Sequence, residues 1–289
     1  MPLFIGIVAS LGAALCWTAT AALLKVGSSK VQPLLANAVR VAAAAAGSML
    51  LVFFTGEVNG LLTSELTAFI AALSAGLLGI MLGDTLYIYA LKVVGVARVM
   101  PVAHTYPLFS TLGAFLFLGE EITLSVVMGA LFIVFGLWLI SPKSEGKSSF
   151  TLKSFFLTLL CAPLWGAGIL LLGYALNYYS VVALNAVRLP FLALILLGFA
   201  YSRGYNPTGL DKRTLAFLAS AGILGLTVGN ILLLIGIDSI GVARAVPLSS
   251  TSPLFSTIVG RIFLREKVGP RVYLSAALIV VGTIRLTTG

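Results

Sequence analysis

The chain has 289 residues, of which 60% are hydrophobic and only 9% are charged. A soluble domain carries about 25% charged residues, so this chain has too few of them to cover a surface that faces water. Its net charge of +9 comes from basic residues scattered singly between apolar segments, without the basic stripe and interleaved aromatics of a nucleic-acid-binding face. The composition therefore predicts a protein that lies in the lipid bilayer and binds no nucleic acid.

Ten segments of the chain are predicted to cross the membrane as helices. A spanning helix needs about 20 consecutive, mostly apolar residues. The connections between the segments are short, and the longest polar ones, 141–153 and 202–213, leave no room for a soluble domain. The ten predicted spans are 3–24, 33–54, 66–91, 99–118, 122–140, 154–176, 181–201, 214–237, 245–264 and 272–288.

The second half of the chain repeats the first. Residues 95–111 (GVARVMPVAHTYPLFST) match residues 241–257 (GVARAVPLSSTSPLFST) at an offset of 146 residues. Each half contains five predicted spans, and because five is odd, the second half enters the membrane from the opposite side. The sequence therefore predicts an all-α integral membrane fold of ten transmembrane helices in two inverted five-helix repeats, 1–142 and 154–289, joined by a linker at 143–153. Other matched pairs, at offsets of 146 or 148 residues, are Trp17 with Trp165, Arg40 with Arg188, Asp84 with Asn230, His104 with Ser250 and Glu120 with Glu266.

Basic residues are concentrated on one side of the predicted membrane. Thirteen of the 18 basic residues lie in the loops of that side, two lie on the other side, and Arg40, Arg188 and Arg261 lie within spans. Because cytoplasmic loops carry an excess of Lys and Arg, we expect these loops to face the cytoplasm from a cell (inner or plasma) membrane, with both termini outside. The basic loops are 25–32, 92–98, 141–153, 202–213 and 265–271.

Each half shares a set of landmarks. It has a Trp in its first span, an Arg in its second, a GxxGxxxG third span, and Leu-Gly-Glu or Leu-Arg-Glu after its fourth. This pattern covers nearly the whole chain and resembles the EamA type of the drug/metabolite transporter superfamily. The resemblance implies ten helices around a central cavity, lined by spans three, four, eight and nine with spans one and six. Proteins of this type include exporters of amino acids and other metabolites, and exchangers of nucleotide sugars or sugar phosphates. They are often drawn with cytoplasmic termini, opposite to the orientation that the loop charges indicate.

The fourth and ninth spans carry matched pairs of prolines, Pro101 with Pro107 and Pro247 with Pro253. Proline cannot donate to the carbonyl four residues back and clashes with it, so each pair frees carbonyls that need polar partners. Interruptions at corresponding positions of two halves point to a transporter's binding site. We predict that the four prolines are hinges beside that site; a pair of purely structural kinks is the alternative.

Two ionisable side chains inside spans are candidates for coupling transport to an ion gradient. His104 belongs to the residue type that titrates near neutral pH, and Asp84 is the only acidic residue well inside a predicted span. An intramembrane carboxylate is costly and usually functional. The alternatives are a hydrogen-bonded neutral histidine and a carboxylate that reaches water near the end of its span. Arg40 and Arg188 are expected to anchor helix ends, with binding of a substrate carboxylate or phosphate as the alternative.

The predicted substrate cavity combines aromatic and hydroxyl side chains. Trp17 and Trp165 lie in mid-span, away from the interfacial belt where Trp usually collects. The glycine pairs of the third and eighth spans are expected to allow close helix packing, and Glu120 and Glu266 to cap the fifth and tenth spans. The predicted cavity residues are Trp17, Tyr87, His104, Thr105, Tyr106, Trp165, Asn230, Ser249, Ser250 and Thr251.

The sequence indicates a secondary transporter rather than an enzyme or a channel. It contains no Walker loop, HExxH or nucleophile elbow. It has only one His and one acidic pair, Glu120–Glu121, so no catalytic residue, cofactor or metal is expected. The inverted repeat supplies an internal two-fold that suits alternating access in a monomer. Because the expected cavity is rich in hydroxyls and mildly basic, we predict export of a small organic metabolite resembling an amino acid. Drug or cation efflux and nucleotide-sugar or sugar-phosphate exchange are the alternatives.

Overall fold

The structure, a computed structural model, describes residues 1–28, 31–62, 65–93, 99, 102–140, 152–255 and 270–288. These residues are almost entirely helical and include no β-strand. The helices are α1 (Pro2–Gly27), α2 (Pro33–Thr55), α3 (Leu66–Gly76), α4 (Thr85–Val93), α5 (Tyr106–Leu118), α6 (Leu124–Ile140), α7 (Leu152–Ala175), α8 (Val181–Ser202), α9 (Lys212–Gly222), α10 (Asn230–Ile240), α11 (Val242–Ser249) and α12 (Pro270–Thr288).

The helices follow the predicted spans closely. Among the described residues, six helical stretches are long and apolar enough to cross a membrane, and three shorter apolar helices cover Tyr106–Leu118, Leu124–Leu139 and Tyr273–Thr288. The ninth span begins at Val242 rather than at 245, directly after Gly241, whose φ of 79° ends the preceding helix. The predicted start of the fourth span, apart from residue 99, and the predicted end of the ninth lie outside the described residues.

The third and eighth spans are continuous helices, but they are not uniformly α-helical. A π-helical segment, π1 (Leu77–Asp84), joins α3 to α4, and a second one, π2 (Ile223–Gly229), joins α9 to α10 at the position matched by the repeat. A π-helical turn bonds to the carbonyl five residues back and so disturbs the regular ladder of the α-helix around it. The sequence does not predict these segments, because an apolar, glycine-containing stretch is compatible with either kind of turn.

Each π-helical segment accepts a hydrogen bond from an asparagine in the second span of the same half. Asn37 Nδ2 in α2 donates to Ile80 O at 2.8 Å, and Asn185 Nδ2 in α8 donates to Leu226 O at 2.9 Å. Both asparagines are fully buried. Because a carbonyl without a partner costs several kcal/mol inside a membrane, the matched asparagines stabilise π-helical turns at matched positions.

The helices of the two halves pack against one another in corresponding pairs. α1 packs along α9, π2 and α10, while α7, its counterpart in the second half, packs along α3, π1 and α4. α2 packs against α8, and α6 packs against α12, so each of these helices contacts its own counterpart. The two halves are therefore interleaved, and residues at the contact of α7 with α4 and α5 come from both.

Small residues allow the closest of these helix crossings. Between α6 and α12, a Cβ atom on Gly129 would lie 2.8 Å from Gly282 O, and one on Gly282 would lie 2.7 Å from Gly129 O. α7 crosses π1 in the same way, because a Cβ on Gly168 would lie 3.2 Å from Gly79 N. Gly168 is therefore the small residue that permits this crossing, whereas a Cβ on Gly79 itself would meet nothing within 4 Å.

Large apolar side chains cover the outside of the helices. Phe53, Phe54 and Phe117 are 72%, 80% and 78% exposed, and many other Leu, Ile and Phe side chains project outwards in the same way. A soluble monomer rarely exposes apolar patches of more than a few hundred Å². This surface is suited to the acyl chains of a bilayer.

Replacing Gly222 with alanine should destabilise the protein. A Cβ at Gly222 would lie 2.0 Å from Arg40 O, so the backbone of α2 or α9 would have to move. Overpacking of this kind costs about 1–3 kcal/mol, and we expect the thermal unfolding midpoint of purified Gly222→Ala protein in detergent to fall by several degrees. Gly198→Ala is the control, because a Cβ there meets nothing within 4 Å and alanine favours a helix over glycine. Equal midpoints would contradict the close contact of α9 with α2.

Candidate functional site

Four of the predicted cavity residues form one aromatic cluster. The ring of Trp165 in α7 lies 5.1 Å from that of Tyr87 in α4 and 5.6 Å from that of Tyr106 in α5, measured between ring centroids. His104, just before α5, lies 6.3 Å from Tyr106. Trp165 comes from the second half of the chain and the other three from the first. The cluster therefore lies where the halves meet, and ring faces of this kind suit a partly apolar solute.

Asp84 connects the cluster to α2. Nε1 of Trp165 donates to Asp84 Oδ1 at 2.9 Å, and the Arg40 guanidinium forms an ion pair with Asp84 Oδ2. The side chains of Arg40 and Asp84 are 7% and 20% exposed. The carboxylate thus joins α2, π1 and α7 and is balanced by a positive charge.

The sequence predicts that Arg40 anchors the end of a helix. In the structure its side chain forms an ion pair with Asp84, a partner that this prediction does not include. The two residues are 44 positions apart, so their pairing depends on how α2 packs against the end of π1. One signal in the sequence does suggest this pairing. Each of the two opposite charges in neighbouring spans is costly alone in a membrane, so the two are expected to pair.

The second half has the same shape at the matched place but not the same charge. Trp17 packs on Gly229 as Trp165 packs on Gly83, since a Cβ on either glycine would lie 3.0 Å or less from the indole. Trp17 Nε1 donates to Gly225 O at 3.2 Å, whereas Trp165 donates to Asp84, and the residue matched to Asp84 is the neutral Asn230. Trp17 also borders the hydrophobic cluster that contains Tyr106.

The fourth and ninth spans are interrupted at matched positions, as their prolines indicate. A turn at 104–105 precedes α5, and a turn at 250–251 follows α11 before the helix resumes at 252. The predicted hinge prolines Pro107 and Pro253 each lie two residues beyond these turns. Pro247 lies within α11, and Pro101 lies outside the described residues.

Hydroxyl groups satisfy carbonyls around the interruptions. Pro247 has no N–H to offer Ala243 O, and Thr111 Oγ1 in α5 donates to that carbonyl at 3.4 Å. Four hydroxyls beside the turns donate to the carbonyl three residues back in their own segment, at distances from 2.7 to 2.9 Å. These donors are Thr105, Ser249, Ser250 and Thr251. Their oxygens keep lone pairs for a further donor, because a hydroxyl accepts as well as donates.

Glu120 joins the end of the fourth span to the start of the ninth. Its carboxylate accepts from Val242 N at 2.7 Å and from Ala243 N at 2.9 Å, where the positive end of the α11 dipole favours a negative charge. The prediction that Glu120 caps the fifth span is wrong, because Thr123 Oγ1 accepts from Val126 N at the start of α6. The matched residue, Glu266, lies outside the described residues.

Comparison with known proteins identifies the fold family. The model of the EamA-like transporter family matches residues 4–141 and again residues 152–288. This chain belongs to the EamA-like transporter family. The repeat found in the sequence thus corresponds to two copies of the family's unit, and the chain is a multi-pass membrane protein and a transporter.

Several relatives carry transporter names. An uncharacterized transporter of Archaeoglobus fulgidus is 29% identical over 281 residues, which cover 97% of each chain. A putative sugar uptake protein of Listeria innocua is 26% identical over 72% of each chain. The glucose uptake protein GlcU of Bacillus subtilis is 27% identical over 74% of this chain and 75% of its own. A solved crystal structure covers 97% of this chain and 95% of its own with a TM-score of 0.81 and 20% identity, which shows a shared fold.

The ion pair between Asp84 and Arg40 should contribute to stability as a unit. Asp84→Asn leaves the guanidinium of Arg40 without its charged partner, and removing one partner of a buried pair costs about 3–5 kcal/mol. Because Asp84 is 20% exposed, we expect a loss at the lower end of that range in the free energy of unfolding. Arg40→Gln should cost a similar amount, and the double variant should lose less than the sum of the two. Strictly additive losses would contradict a direct pairing.

Proposed function

We propose that this protein is a secondary transporter that moves a small organic metabolite by alternating access, with ten spans in two inverted repeats around a cavity between the halves. The single observation that carries the proposal is the aromatic cluster at the junction of the halves, where Trp165 contacts Tyr87, Tyr106 and Asp84. The corresponding packing of α1 and α7 on the opposite half supports the two-fold relation, which transporters of this construction use to exchange two states.

The substrate that we propose carries no net charge. Arg40 balances the carboxylate of Asp84, so a cationic drug would have to displace a guanidinium before it could pair with this group. Aromatic faces and hydroxyl lone pairs accommodate a polar solute with an apolar side. An amino-acid-like zwitterion is the first candidate. A sugar is the second, and the names of the Listeria innocua and Bacillus subtilis relatives favour it.

The mechanism that we propose is a rocking motion of one half against the other. The cap of Glu120 on α11 links the end of the fourth span to the start of the ninth, and we assign it to the closed side of the cavity. The turns at 104–105 and 250–251 are the proposed hinges. His104 and Asp84 are the candidates for proton coupling, since both adjoin the aromatic cluster. The loop charges support an orientation with outside termini. Export from the cytoplasm is the direction that we propose, and the internal two-fold relation suits function as a monomer.

Purified protein in proteoliposomes should take up a labelled amino acid or neutral sugar with saturation. Sugar phosphates, nucleotide sugars and a quaternary cation test the other substrate classes, each with and without a pH gradient. Trp165→Phe should raise the KM for the transported solute, because it removes the hydrogen bond to Asp84 and part of the cluster. Trp138→Phe is the control, because Trp138 is 57% exposed on α6. Saturable uptake of the quaternary cation alone would establish the drug-efflux alternative instead.

Pro247→Ala should slow turnover while leaving substrate affinity nearly unchanged. Alanine restores the N–H that proline lacks, so Ala243 O regains a backbone donor and α11 becomes stiffer. We expect the maximal rate in proteoliposomes to fall several-fold, since hinge positions absorb the change in backbone angles. Pro190→Ala, which changes a proline inside α8, is the matched control. Full turnover in Pro247→Ala protein would refute a hinge at this position.

A further inference from the structure

Arg188 in α8 is a buried cation that forms no ion pair with any residue the structure describes. It is 2% exposed and the largest of the fully buried side chains in the part of the chain that the structure describes. A guanidinium offers five N–H donors. Within the described residues its one hydrogen bond runs from Nη2 to Asn185 Oδ1 at 2.9 Å, and Nε has no partner. Most of the hydrogen-bonding capacity of this cation is therefore unused.

The matched arginine in the first half shows what Arg188 lacks. Arg40 forms an ion pair with Asp84, whereas the residue matched to Asp84 is the neutral Asn230. α10, which begins at Asn230, packs against α8. The two arginines and Asp84 together carry one uncompensated positive charge.

A neutral polar network extends from Asn185, the residue to which Arg188 donates. Asn185 Nδ2 donates to Ser48 Oγ at 3.1 Å, Ser48 Oγ lies 3.5 Å from Thr227 Oγ1, and Thr227 Oγ1 donates to Ala44 O at 3.0 Å. These side chains are buried and uncharged, so they orient the guanidinium through Asn185 without balancing its charge. An unbalanced charge in the membrane interior is costly, and such residues usually face a binding site or an ion pathway.

We propose that Arg188 is an anion-binding subsite that takes the carboxylate of the transported solute in the place that Asp84 fills beside Arg40. The planar fork of a guanidinium matches a carboxylate in a bidentate arrangement. The substrate class is then a zwitterionic amino acid or a similar compound rather than a sugar. This inference rests on the proposed transport function for the source of the carboxylate. A free anion such as chloride shares the same chemistry, and the experiment below separates the two sources.

Anion binding is tested first, without transport. Acetate is titrated into purified protein at constant ionic strength held with a bulky sulfonate, and the thermal unfolding midpoint is recorded. A ligand that binds the folded state raises this midpoint with saturation. Wild type should respond. Arg188→Gln should not respond, and Asn230→Asp should lose the response because it supplies an internal carboxylate. Arg203→Gln, which removes an exposed arginine, should respond like wild type.

The result that overturns the proposal is an acetate response in Arg188→Gln protein equal to that of wild type, or no saturable response in wild type. If Arg188→Gln does not yield monodisperse protein, Asn230→Asp decides, because it keeps the arginine. In that case, an acetate response in Asn230→Asp protein equal to that of wild type would also overturn the proposal. If Arg188→Gln protein loses the acetate response and Asn230→Asp protein keeps it, the anion is still assigned to Arg188.

Transport then identifies the source of the anion. Wild-type proteoliposomes should prefer a zwitterionic amino acid to its uncharged-carboxamide analogue, and Asn230→Asp should reduce that preference by roughly tenfold or more, as loss of a charge-assisted pair predicts. Equal transport of both compounds, together with an acetate or chloride response that requires Arg188, would assign the subsite to a free anion. Absence of any transport would refute the proposed function, while the acetate titration would still decide the subsite.

Discussion

The fold depends on one constraint, which is that polar groups inside a lipid-facing bundle find their partners within the protein. Asn37 and Asn185 meet carbonyls of the π-helical segments, and Thr111 meets the carbonyl that Pro247 leaves free. Arg40 meets Asp84. Each of these partners comes from a different span. The same contacts that satisfy polar groups therefore also hold the spans in register. A polar solute that binds between the spans has to take the place of such a partner or meet a group that lacks one.

The two halves repeat their shape more faithfully than their charges. Each has a Trp on a glycine of the opposite half and an asparagine on a π-helical carbonyl. Yet Asp84 is matched by Asn230, and His104 by Ser250. Packing at a helix crossing is sensitive to a single methyl group, so both halves retain their small residues. Charge is less constrained by packing, because an asparagine fills nearly the same volume as an aspartate, and the two halves differ there.

The sequence predicts features that depend on local composition and on internal comparison. The apolar lengths predict the helices to within a few residues, and the repeated prolines predict interruptions at 104–105 and 250–251. It does not predict π1 and π2, because their apolar, glycine-containing stretches suit either kind of turn, and the asparagines that bond to them, Asn37 and Asn185, are distant in the chain. The partners of Asp84 and Glu120 are equally out of reach, since Arg40 is 44 residues from Asp84 and Val242 is 122 residues from Glu120. Such contacts become visible only when the packing of the spans is known.

The unequal charges have a consequence for alternating access. If the halves were identical, the inward- and outward-facing states would have equal energy, because a rotation about the two-fold axis would convert one state into the other. Asp84 with Arg40 on one side and Arg188 without a carboxylate on the other remove that equality. Under the proposed alternating access, this asymmetry gives the two states of the empty protein unequal energies and unequal affinities for the solute. It does not fix the net direction, because a carrier without an energy source moves solute down the combined gradients whichever state it prefers. If the protein exports its solute as proposed, the driving gradient points outwards, and the charge asymmetry acts only on the rate and the affinity.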